Sequence, residues 1–381
     1  MTSTPAIYET PRQAPPGGRA EVRELWLARV DKIKLTYVHR QGVAMEFHPD
    51  RVIFEQDALE YPLGRQLWEL FKNSDAEVMV SRSRRITGIP GRNPQESYRE
   101  AKRTLVFGVR RTLNFQTCRP SAHYQLPLTT SCPGKCEYCY LLGSLPGKPY
   151  IRAYVNIEEI LDRARDYIVK RQPEVTTFEG SATSDPVPVE KYTGALARTI
   201  LFFAAQDYGR FRLATKFTGI DSLLDLKHSG HTTIRFSLNT ARVIKTYEHG
   251  TPALEQRLQA ARKVFDAGYP TGFIIAPVIA YRDWEREYAE LLETIRACFP
   301  GTSSLSFEFI THRFTVRARN KIKSIFPHTG LPMDDEDRKF KFGQFGYGKY
   351  VYAPPLMDRL KEALVTKARE MFPGARIDYF V

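Results

Sequence analysis

The stretch Ser131-Cys132-Pro133-Gly134-Lys135-Cys136-Glu137-Tyr138-Cys139-Tyr140 decides the interpretation of this chain of 381 residues. It places three of the five cysteines of the chain within one short segment. An odd cysteine count and such crowding do not indicate a disulfide framework. They are typical of a metal site in a reducing compartment.

The spacing Cys-x3-Cys-x2-Cys, in a loop after a predicted strand, brings the thiolates of Cys132, Cys136 and Cys139 around one centre. A 4Fe–4S cluster has four irons, so three protein ligands leave one iron open. The amino and carboxylate groups of S-adenosyl-L-methionine can chelate that iron. An electron from the cluster can then cleave the sulfonium to give a deoxyadenosyl radical. The sequence therefore predicts a 4Fe–4S cluster and S-adenosylmethionine as cofactors.

Structural zinc is the alternative for the same cysteines, because zinc takes four tetrahedral ligands. Either Cys118 or His123 could supply the fourth ligand. Zinc sites usually consist of two paired knuckles, and this sequence has no second pair, so the cluster is the better interpretation. The zinc alternative would make the chain a non-catalytic DNA-binding protein.

Beyond the cysteine loop, short β-rich runs alternate with amphipathic helical patterns. The predicted strands are 123–130, 175–183, 211–216, 232–238, 271–278 and 304–310. The predicted helices are 157–171, 191–205, 252–267, 284–298 and 356–371. Such alternation implies parallel strands with helical crossovers. We expect an α/β fold with a partial (β/α)6 barrel, whose catalytic groups lie at the C-terminal ends of the strands.

The same patterns divide the chain into four predicted segments. These are an N-terminal extension at 1–47, partly disordered; a segment at 48–120 packed on the barrel; the barrel with a C-terminal DNA-contact region at 121–353; and a C-terminal helix and tail at 354–381. No apolar run approaches the roughly 18–20 residues that cross a bilayer. The proline-rich N-terminus lacks the apolar core of a signal peptide, so we expect a cytoplasmic protein with no membrane association.

The chain is basic, with a formal net charge of +13 and a pI near 9.4. Such an excess favours a polyanionic partner, although a charge run is more often a solvated face. Basic residues gather at 82–85, 102–103, 110–111, 312–323 and 338–341. Some alternate with aromatic residues, which can stack on exposed bases. Nucleic acid is therefore a candidate partner.

Further motifs surround the cysteine loop. They are LEYPLG at 59–64, VFGVRR at 106–111, CEYCYL at 136–141, GKPYIR at 147–152, YVN at 154–156, IRFSLN at 234–239, AGYP at 267–270, ITHRF at 310–314 and GKYVY at 348–352. The cysteine spacing is the signature of the radical S-adenosylmethionine superfamily. Together these motifs, from about residue 50 to 353, resemble the spore photoproduct lyase family.

The resemblance implies a radical S-adenosylmethionine lyase that reverts a thymine dimer of the spore photoproduct type in DNA. It also implies damaged DNA and an electron donor such as a flavodoxin or ferredoxin as partners. By position, the residues expected to bind S-adenosylmethionine are Tyr138, Ser184, Lys216, Ser237 and Ala276. Tyr138, beside the cluster, and Tyr140, which matches a family tyrosine implicated in radical relay, are the expected catalytic residues.

The sequence departs from the family at two places. Ala182 stands where the family has the cysteine that returns a hydrogen atom, and alanine has no weakly held hydrogen. Gln344 and Phe345 stand where the family usually has Arg and Tyr at the damaged bases, and Gln cannot replace a guanidinium. These departures leave open a radical enzyme acting on a different DNA lesion or on a non-DNA substrate.

The missing cysteine at 182 leaves the hydrogen donor to be found among other residues. Cys118 and Cys298 are the remaining thiols, and the hydroxyls of Tyr138 and Tyr140 are alternatives with a stronger bond to hydrogen. We interpret Cys298 as a small buried apolar residue and Cys118 as incidental.

Overall fold

A large, mostly parallel sheet is the centre of the molecule. The computed structural model describes residues 46–145, 149–302, 304–336, 338–342 and 348–381. The sheet has eight strands in the order β17-β14-β13-β11-β10-β9-β5-β4. These are β4 (Thr117–Cys118), β5 (Ala122–Gln125), β9 (Thr176–Glu179), β10 (Gly209–Thr215), β11 (Thr232–Leu238), β13 (Thr271–Val278), β14 (Ser306–Thr311) and β17 (Arg376–Phe380). All neighbouring pairs are parallel except β4 with β5, which confirms the predicted partial barrel.

A second sheet of five strands has the order β2-β1-β3-β8-β6. Its strands are β1 (Arg51–Glu55), β2 (Glu77–Ser81), β3 (Thr104–Gly108), β6 (Thr129–Thr130) and β8 (Ile151–Tyr154). Two short antiparallel pairs complete the strands: β7 (Lys135–Cys136) with β12 (Glu248–His249), and β15 (Arg338–Phe342) with β16 (Gly348–Tyr352). The cysteine loop therefore follows the last residue of β6, a strand of the smaller sheet.

Ten α-helices connect these strands in the described residues. They are α1 (Pro62–Phe71), α2 (Pro94–Lys102), α3 (Ile157–Arg171), α4 (Val187–Thr193), α5 (Ala195–Ala204), α6 (Ala241–Tyr247), α7 (Leu254–Asp266), α8 (Trp284–Cys298), α9 (Val316–Ile325) and α10 (Pro354–Met371).

Successive side chains of a strand point to opposite faces of the sheet, so alternate residues contact different surroundings. In β10, Phe211 and Leu213 are fully buried, whereas Arg212 between them points to the other face of the sheet.

That other face, which lines the lumen of the half barrel, carries an ionic network. Arg235 on β11 donates to both carboxylate oxygens of Glu308 on β14, at 2.8 and 2.9 Å, and also contacts Glu179 on β9. Arg212 bonds Glu308 and donates to Asp378 on β17 at 2.7 Å. Charges thus join five strands of the sheet across its interior.

Several predicted elements are confirmed with their bounds unchanged, namely 157–171, 232–238, 271–278 and 284–298. Two predictions are wrong in detail. The single strand expected at 123–130 is two strands in different sheets, β5 and β6. The single helix expected at 191–205 is divided at Gly194, whose φ of 59° lies in the left-handed region, where glycine has no Cβ penalty.

The C-terminal segment also differs from the expectation of a helix followed by a tail. Residues 376–380 form β17, which pairs in parallel with β14 at the edge of the main sheet. The predicted N-terminal extension, 1–47, lies almost wholly outside the described residues. Within the described residues, no helix combines the length and apolar character that crossing a bilayer requires.

Candidate active site

The cysteine loop starts where β6 ends and is fixed by neighbours on both sides. Ser131 has a φ of 62°, and its backbone N–H donates to the carbonyl of Thr183 at 2.9 Å. Further along the loop, Cys136 pairs with Glu248 in the β7–β12 ladder. Lys102, at the end of α2, donates to the carbonyl of Cys132 at 2.8 Å. Three separate parts of the chain therefore hold the loop in one shape.

The three thiols are close enough to interact electrostatically. Burial raises the pKa of Cys132 to about 11, and Cys139 raises it further, while Lys102 opposes both. Burial likewise raises the pKa of Cys136, with Cys132 and Cys139 among the smaller contributions. Thiols with raised pKa values are protonated at neutral pH, so binding of metal here would release protons.

The chemistry of the loop suits a 4Fe–4S cluster. It offers three cysteine thiols, and in such a cluster each thiolate binds a different iron. In the described residues, no three His, Cys, Asp or Glu side chains are grouped as ligands of one metal ion. Gly134 lies in a part of the loop where a side chain would be crowded. A Cβ there would lie 3.2 Å from Cγ2 of Thr251 and 3.6 Å from Sγ of Cys132.

The ammonium of Lys216, just past the end of β10, connects several predicted residues. It donates to the hydroxyls of Tyr138 and Ser237, each at 3.1 Å, and to Glu248 at 2.9 Å. These bonds use all three of its donors. The structure thus places Lys216, Ser237 and Tyr138 together, as the sequence predicted.

Glu248 is a member of this group that sequence reasoning missed. Its side chain is fully buried, accepts from Tyr138 and receives a 2.5 Å bond from Arg257. Burial alone would raise the pKa of Glu248, but Lys216 and Arg257 outweigh it and lower that pKa to about 2. No sequence motif surrounds Glu248. Its contacts with Cys136, Tyr138 and Lys216 in the folded chain are what identify it as a residue of the site.

Ser184 lies beside the cysteine loop rather than beside Lys216. It forms a parallel bridge with Ser131, and its hydroxyl accepts from Thr129 at 2.7 Å. The adjacent Asp185 accepts from the backbone N–H of Lys216 at 2.9 Å and thereby connects the two groups. Burial raises the pKa of Asp185 to about 6, although these hydrogen bonds lower it. Ala276, the remaining predicted pocket residue, lies partly buried in β13.

Tyr140 contacts Ala182 at the edge of the site, and Cys118 acts on Tyr140 electrostatically. Tyr140 is 64% exposed, and its hydroxyl donates to the carbonyl of Ala182. Burial of that hydroxyl, then the thiols of Cys139 and Cys118, raise the pKa of Tyr140. Burial, ahead of Glu179, raises the pKa of Cys118 to about 12. The Cys118 sulfur therefore carries its hydrogen at neutral pH.

The structure distinguishes the two remaining thiols. Cys298 is the last residue of α8, and a helix that crosses over between parallel strands ends near their N-terminal ends. Its backbone carbonyl accepts from Arg262 at 3.3 Å. Cys298 is therefore on the side of the barrel opposite the cysteine loop. Cys118, in β4, pairs with Ala122 at the start of β5 and is among the groups that raise the pKa of Tyr140.

The basic groups predicted from the sequence divide into buried and exposed members. Lys102 and His312 are 4% and 2% exposed, so these two residues are not part of an exposed basic surface. Arg82 and Arg317 are exposed, as are Phe340 and Phe342 on β15, at 46% and 73%. Gln344 and Phe345, the expected lesion-pocket departures, lie outside the described residues.

A parallel half barrel with a three-cysteine loop beyond the C-terminal ends of its strands defines a radical S-adenosylmethionine enzyme. The chain belongs to the spore photoproduct lyase family, whose model matches residues 47–381. The spore photoproduct lyase of Clostridium acetobutylicum is 52% identical over 331 residues, which are 87% of this chain and 98% of the relative. That of Bacillus subtilis is 46% identical over 337 residues, 88% of this chain and 98% of the relative.

Solved structures agree with this assignment. A cysteine-to-alanine variant of spore photoproduct lyase with dinucleoside spore photoproduct matches with a TM-score of 0.86 and 45% identity, over 88% of this chain and all of that chain. A second variant, with an additional serine-to-cysteine change and with bound S-adenosylmethionine and dinucleoside spore photoproduct, also has a TM-score of 0.86 and 45% identity. It covers 88% of this chain and 99% of that chain.

Proposed function

We propose that this chain is a radical S-adenosylmethionine lyase that reverts the spore photoproduct in DNA to two thymines. One observation carries the proposal: relatives named spore photoproduct lyase match nearly their whole length at 45–52% identity. The shared region includes the cysteine loop and the Lys216 group. Damaged DNA is accordingly the substrate, and S-adenosylmethionine is the cofactor.

Cys132, Cys136 and Cys139 would hold a 4Fe–4S cluster. When bound, the cluster and S-adenosylmethionine together supply the hydrogen-abstracting chemistry that opens the methylene bridge of the adduct. Lys216 would exchange one of its three present bonds for a bond to the carboxylate of the cofactor, and the hydroxyls of Ser184 and Ser237 offer hydrogen bonds to its polar groups. An electron donor such as a flavodoxin or ferredoxin completes the system.

The hydrogen that returns to the product is assigned to Cys118, in place of the missing thiol at Ala182. Two observations support this: burial raises the pKa of Cys118 to about 12, so its sulfur carries a hydrogen at neutral pH, and Cys118 is among the groups that raise the pKa of the Tyr140 hydroxyl. The S–H bond of Cys118 breaks, a C–H bond forms on the thymine radical, and a sulfur radical remains. Tyr140 then gives its hydroxyl hydrogen to that sulfur: the O–H bond breaks, the S–H bond forms again, and the radical is left on Tyr140.

Exposed basic and aromatic side chains support DNA as the form of the substrate. Leu142, Val316, Arg317 and Lys321 line a groove of about 710 Å³ beside the segment that follows the cysteine loop. Cations there would neutralise phosphates, and the exposed aromatics of β15 would stack on displaced bases. A lesion must leave the base stack to reach the barrel, and damage lowers that cost.

The test is anaerobic reconstitution followed by incubation with dinucleoside spore photoproduct, a reductant and S-adenosylmethionine. We expect bound iron and sulfide, release of deoxyadenosine and formation of thymidine. Cys136→Ala, which removes one predicted ligand, is the matched control and should do none of these. If the loaded protein cleaves S-adenosylmethionine but leaves the adduct intact, the lyase assignment fails and only the superfamily remains.

A further inference from the structure

The hydroxyl of Tyr98 has no hydrogen-bond partner among the described residues, although Tyr98 is only 1% exposed. Native structures satisfy nearly all buried polar groups, so an unpaired one calls for an explanation such as a bound group. The ring needs no such explanation. It packs edge-on against Phe326, with the ring centroids 5.6 Å apart, inside a small apolar cluster.

Helix α2 places Tyr98 directly beside the cysteine loop. Tyr98 and Lys102 are four residues apart and therefore lie on the same face of the helix. Lys102 Nζ lies 5.4 Å from the centroid of the Tyr98 ring and 2.8 Å from the carbonyl oxygen of Cys132. Cys139 also packs against the apolar cluster that contains Tyr98.

The surroundings of the hydroxyl support the same position. Burial raises the pKa of Tyr98, and the next contributions come from Cys139, Cys136 and Cys132. All three predicted ligands are thus near this one hydroxyl. Lys102, in contrast, already has partners in Cys132 and in the hydroxyl of Ser131, at 3.1 Å.

We propose that Tyr98 donates a hydrogen bond to a sulfur atom of the 4Fe–4S cluster, either a cysteine thiolate or a bridging sulfide. This inference rests on the proposed function, because it needs the cluster to be present. A phenol O–H donates readily, and anionic sulfur accepts. Since reduction adds negative charge to the cluster, a hydrogen bond to its sulfur favours the reduced state and raises the reduction potential. Tyr98 is then a positioning residue that adjusts the reduction potential of the cluster and does not touch the substrate.

The test compares Tyr98→Phe with a matched control, Tyr269→Phe. Tyr269 is 2% exposed, and its hydroxyl donates to the carbonyl of Leu223 at 2.5 Å, within the protein. Both variants and the parent are reconstituted anaerobically, and the reduced cluster is titrated by electron paramagnetic resonance. We expect Tyr98→Phe to lower the ratio of reduced to oxidised cluster at fixed solution potential by up to tenfold, which corresponds to about 59 mV for one electron. Tyr269→Phe should leave the ratio unchanged.

Two further measurements distinguish this role from a structural one. The first measurement is the magnetic coupling between a proton and the reduced cluster. In the parent, one coupled proton should exchange for deuterium when the protein is transferred to D2O. In Tyr98→Phe that coupling should be absent. The second measurement is the stability of the cluster-free proteins in urea. Tyr98→Phe should unfold at the same or a higher urea concentration than the parent, because its hydroxyl has no protein partner to lose. Tyr269→Phe should unfold at a lower urea concentration.

An unchanged reduction ratio and proton coupling in a fully loaded Tyr98→Phe protein would overturn the inference and leave the proposed function intact. Loss of stability in cluster-free Tyr98→Phe, equal to that in Tyr269→Phe, would also overturn it, because the hydroxyl would then have a protein partner. A parent that holds no iron or sulfide overturns the inference and the proposed function together.

Discussion

Single residues decide the chemistry of this site, and Lys216 is the one with the most contacts to predicted pocket residues. Replacing it by methionine keeps the length of the side chain and removes the cation. A hydrogen bond to a charged group contributes about 1.5–3 kcal/mol. We therefore expect Lys216→Met to weaken binding of S-adenosylmethionine by about 10- to 150-fold, as measured by equilibrium dialysis on the loaded protein.

The matched control for that change is Lys263→Met. Lys263 forms an ion pair with Asp221 in which both side chains are more than half exposed. Binding to this variant should equal that of the parent. Unaltered binding in Lys216→Met would show that the ammonium does not contact the cofactor.

The second prediction at this scale concerns the returned hydrogen. Cys118→Ala removes the proposed donor, so we expect the loaded variant to consume S-adenosylmethionine while forming little thymidine and releasing adducts of the trapped thymine radical. Adding Ala182→Cys to the same chain restores a thiol beside Tyr140 and should recover thymidine. Product analysis by liquid chromatography and mass spectrometry decides the outcome.

Cys298→Ala is the control, because that thiol lies at the opposite end of the barrel. Its product distribution should match the parent. Normal thymidine yield from Cys118→Ala would exclude Cys118 as the donor and point instead to a tyrosine hydroxyl. Ala182→Cys alone, in which two thiols compete, should alter the product distribution if the adduct is the substrate.

At the scale of an element, the start of α5 shows how one carboxyl can organise a helix. Glu190, in α4, accepts from the backbone N–H groups of Leu196 at 2.7 Å and Ala197 at 2.9 Å. It thereby satisfies two of the donors that a helix leaves unpaired at its N-terminus. The sequence suggested one continuous helix here. The break at Gly194 is what allows Glu190 to reach those donors.

Burial raises the pKa of Glu190 from 4.5 to about 7, even though both hydrogen bonds lower it. Between those values the unfolded state binds fewer protons than the native state, so the free energy of unfolding falls as pH rises. The loss is complete above pH 7 and amounts to about 3 kcal/mol. Glu190→Gln cannot ionise and should lose this dependence.

Urea unfolding of the cluster-free protein at several pH values checks this. The unfolding free energy of Glu190→Gln relative to the parent should rise between pH 4.5 and 7 and be level outside that window. Glu158→Gln, at an exposed ion pair with Arg198, should track the parent throughout. A constant difference between Glu190→Gln and the parent would mean that Glu190 titrates normally.

For the whole molecule, the ionic network of the lumen joins segments that are far apart in the chain. Arg235 and Glu308 are each about 1% exposed, and the network extends to Asp378 near the C-terminus. Removing one member leaves its partners charged and buried, which costs about 3–5 kcal/mol. Arg235→Met should reduce the unfolding free energy by about that amount and reduce the hydrogen-exchange protection of β17.

A surface pair provides the comparison. Arg286 and Glu290 form an exposed ion pair one turn apart on α8. Exposed pairs contribute about 0–1 kcal/mol, so Arg286→Met should change stability little. If Arg235→Met reduced the unfolding free energy as little as Arg286→Met does, the ionic network would not stabilise the sheet.

The sequence by itself determined the class of fold, and it predicted the cysteine ligands and the residues of the cofactor pocket. It could do so because ligand spacing within a loop and the strand and helix periodicities are local properties of the chain. The departure at Ala182 is local too, and the sequence alone exposed it.

The tertiary structure decided what depends on distant partners. It placed the hydroxyl of Tyr140 on the carbonyl of Ala182, Glu248 against Cys136 and Lys216, and Tyr98 next to the cysteine loop. It also converted the expected C-terminal tail into β17, because a strand forms only where a sheet edge offers hydrogen bonds. Burial and charge pairing arise from neighbours more than a hundred residues away, as between Tyr138 and Glu248, and no local pattern records them.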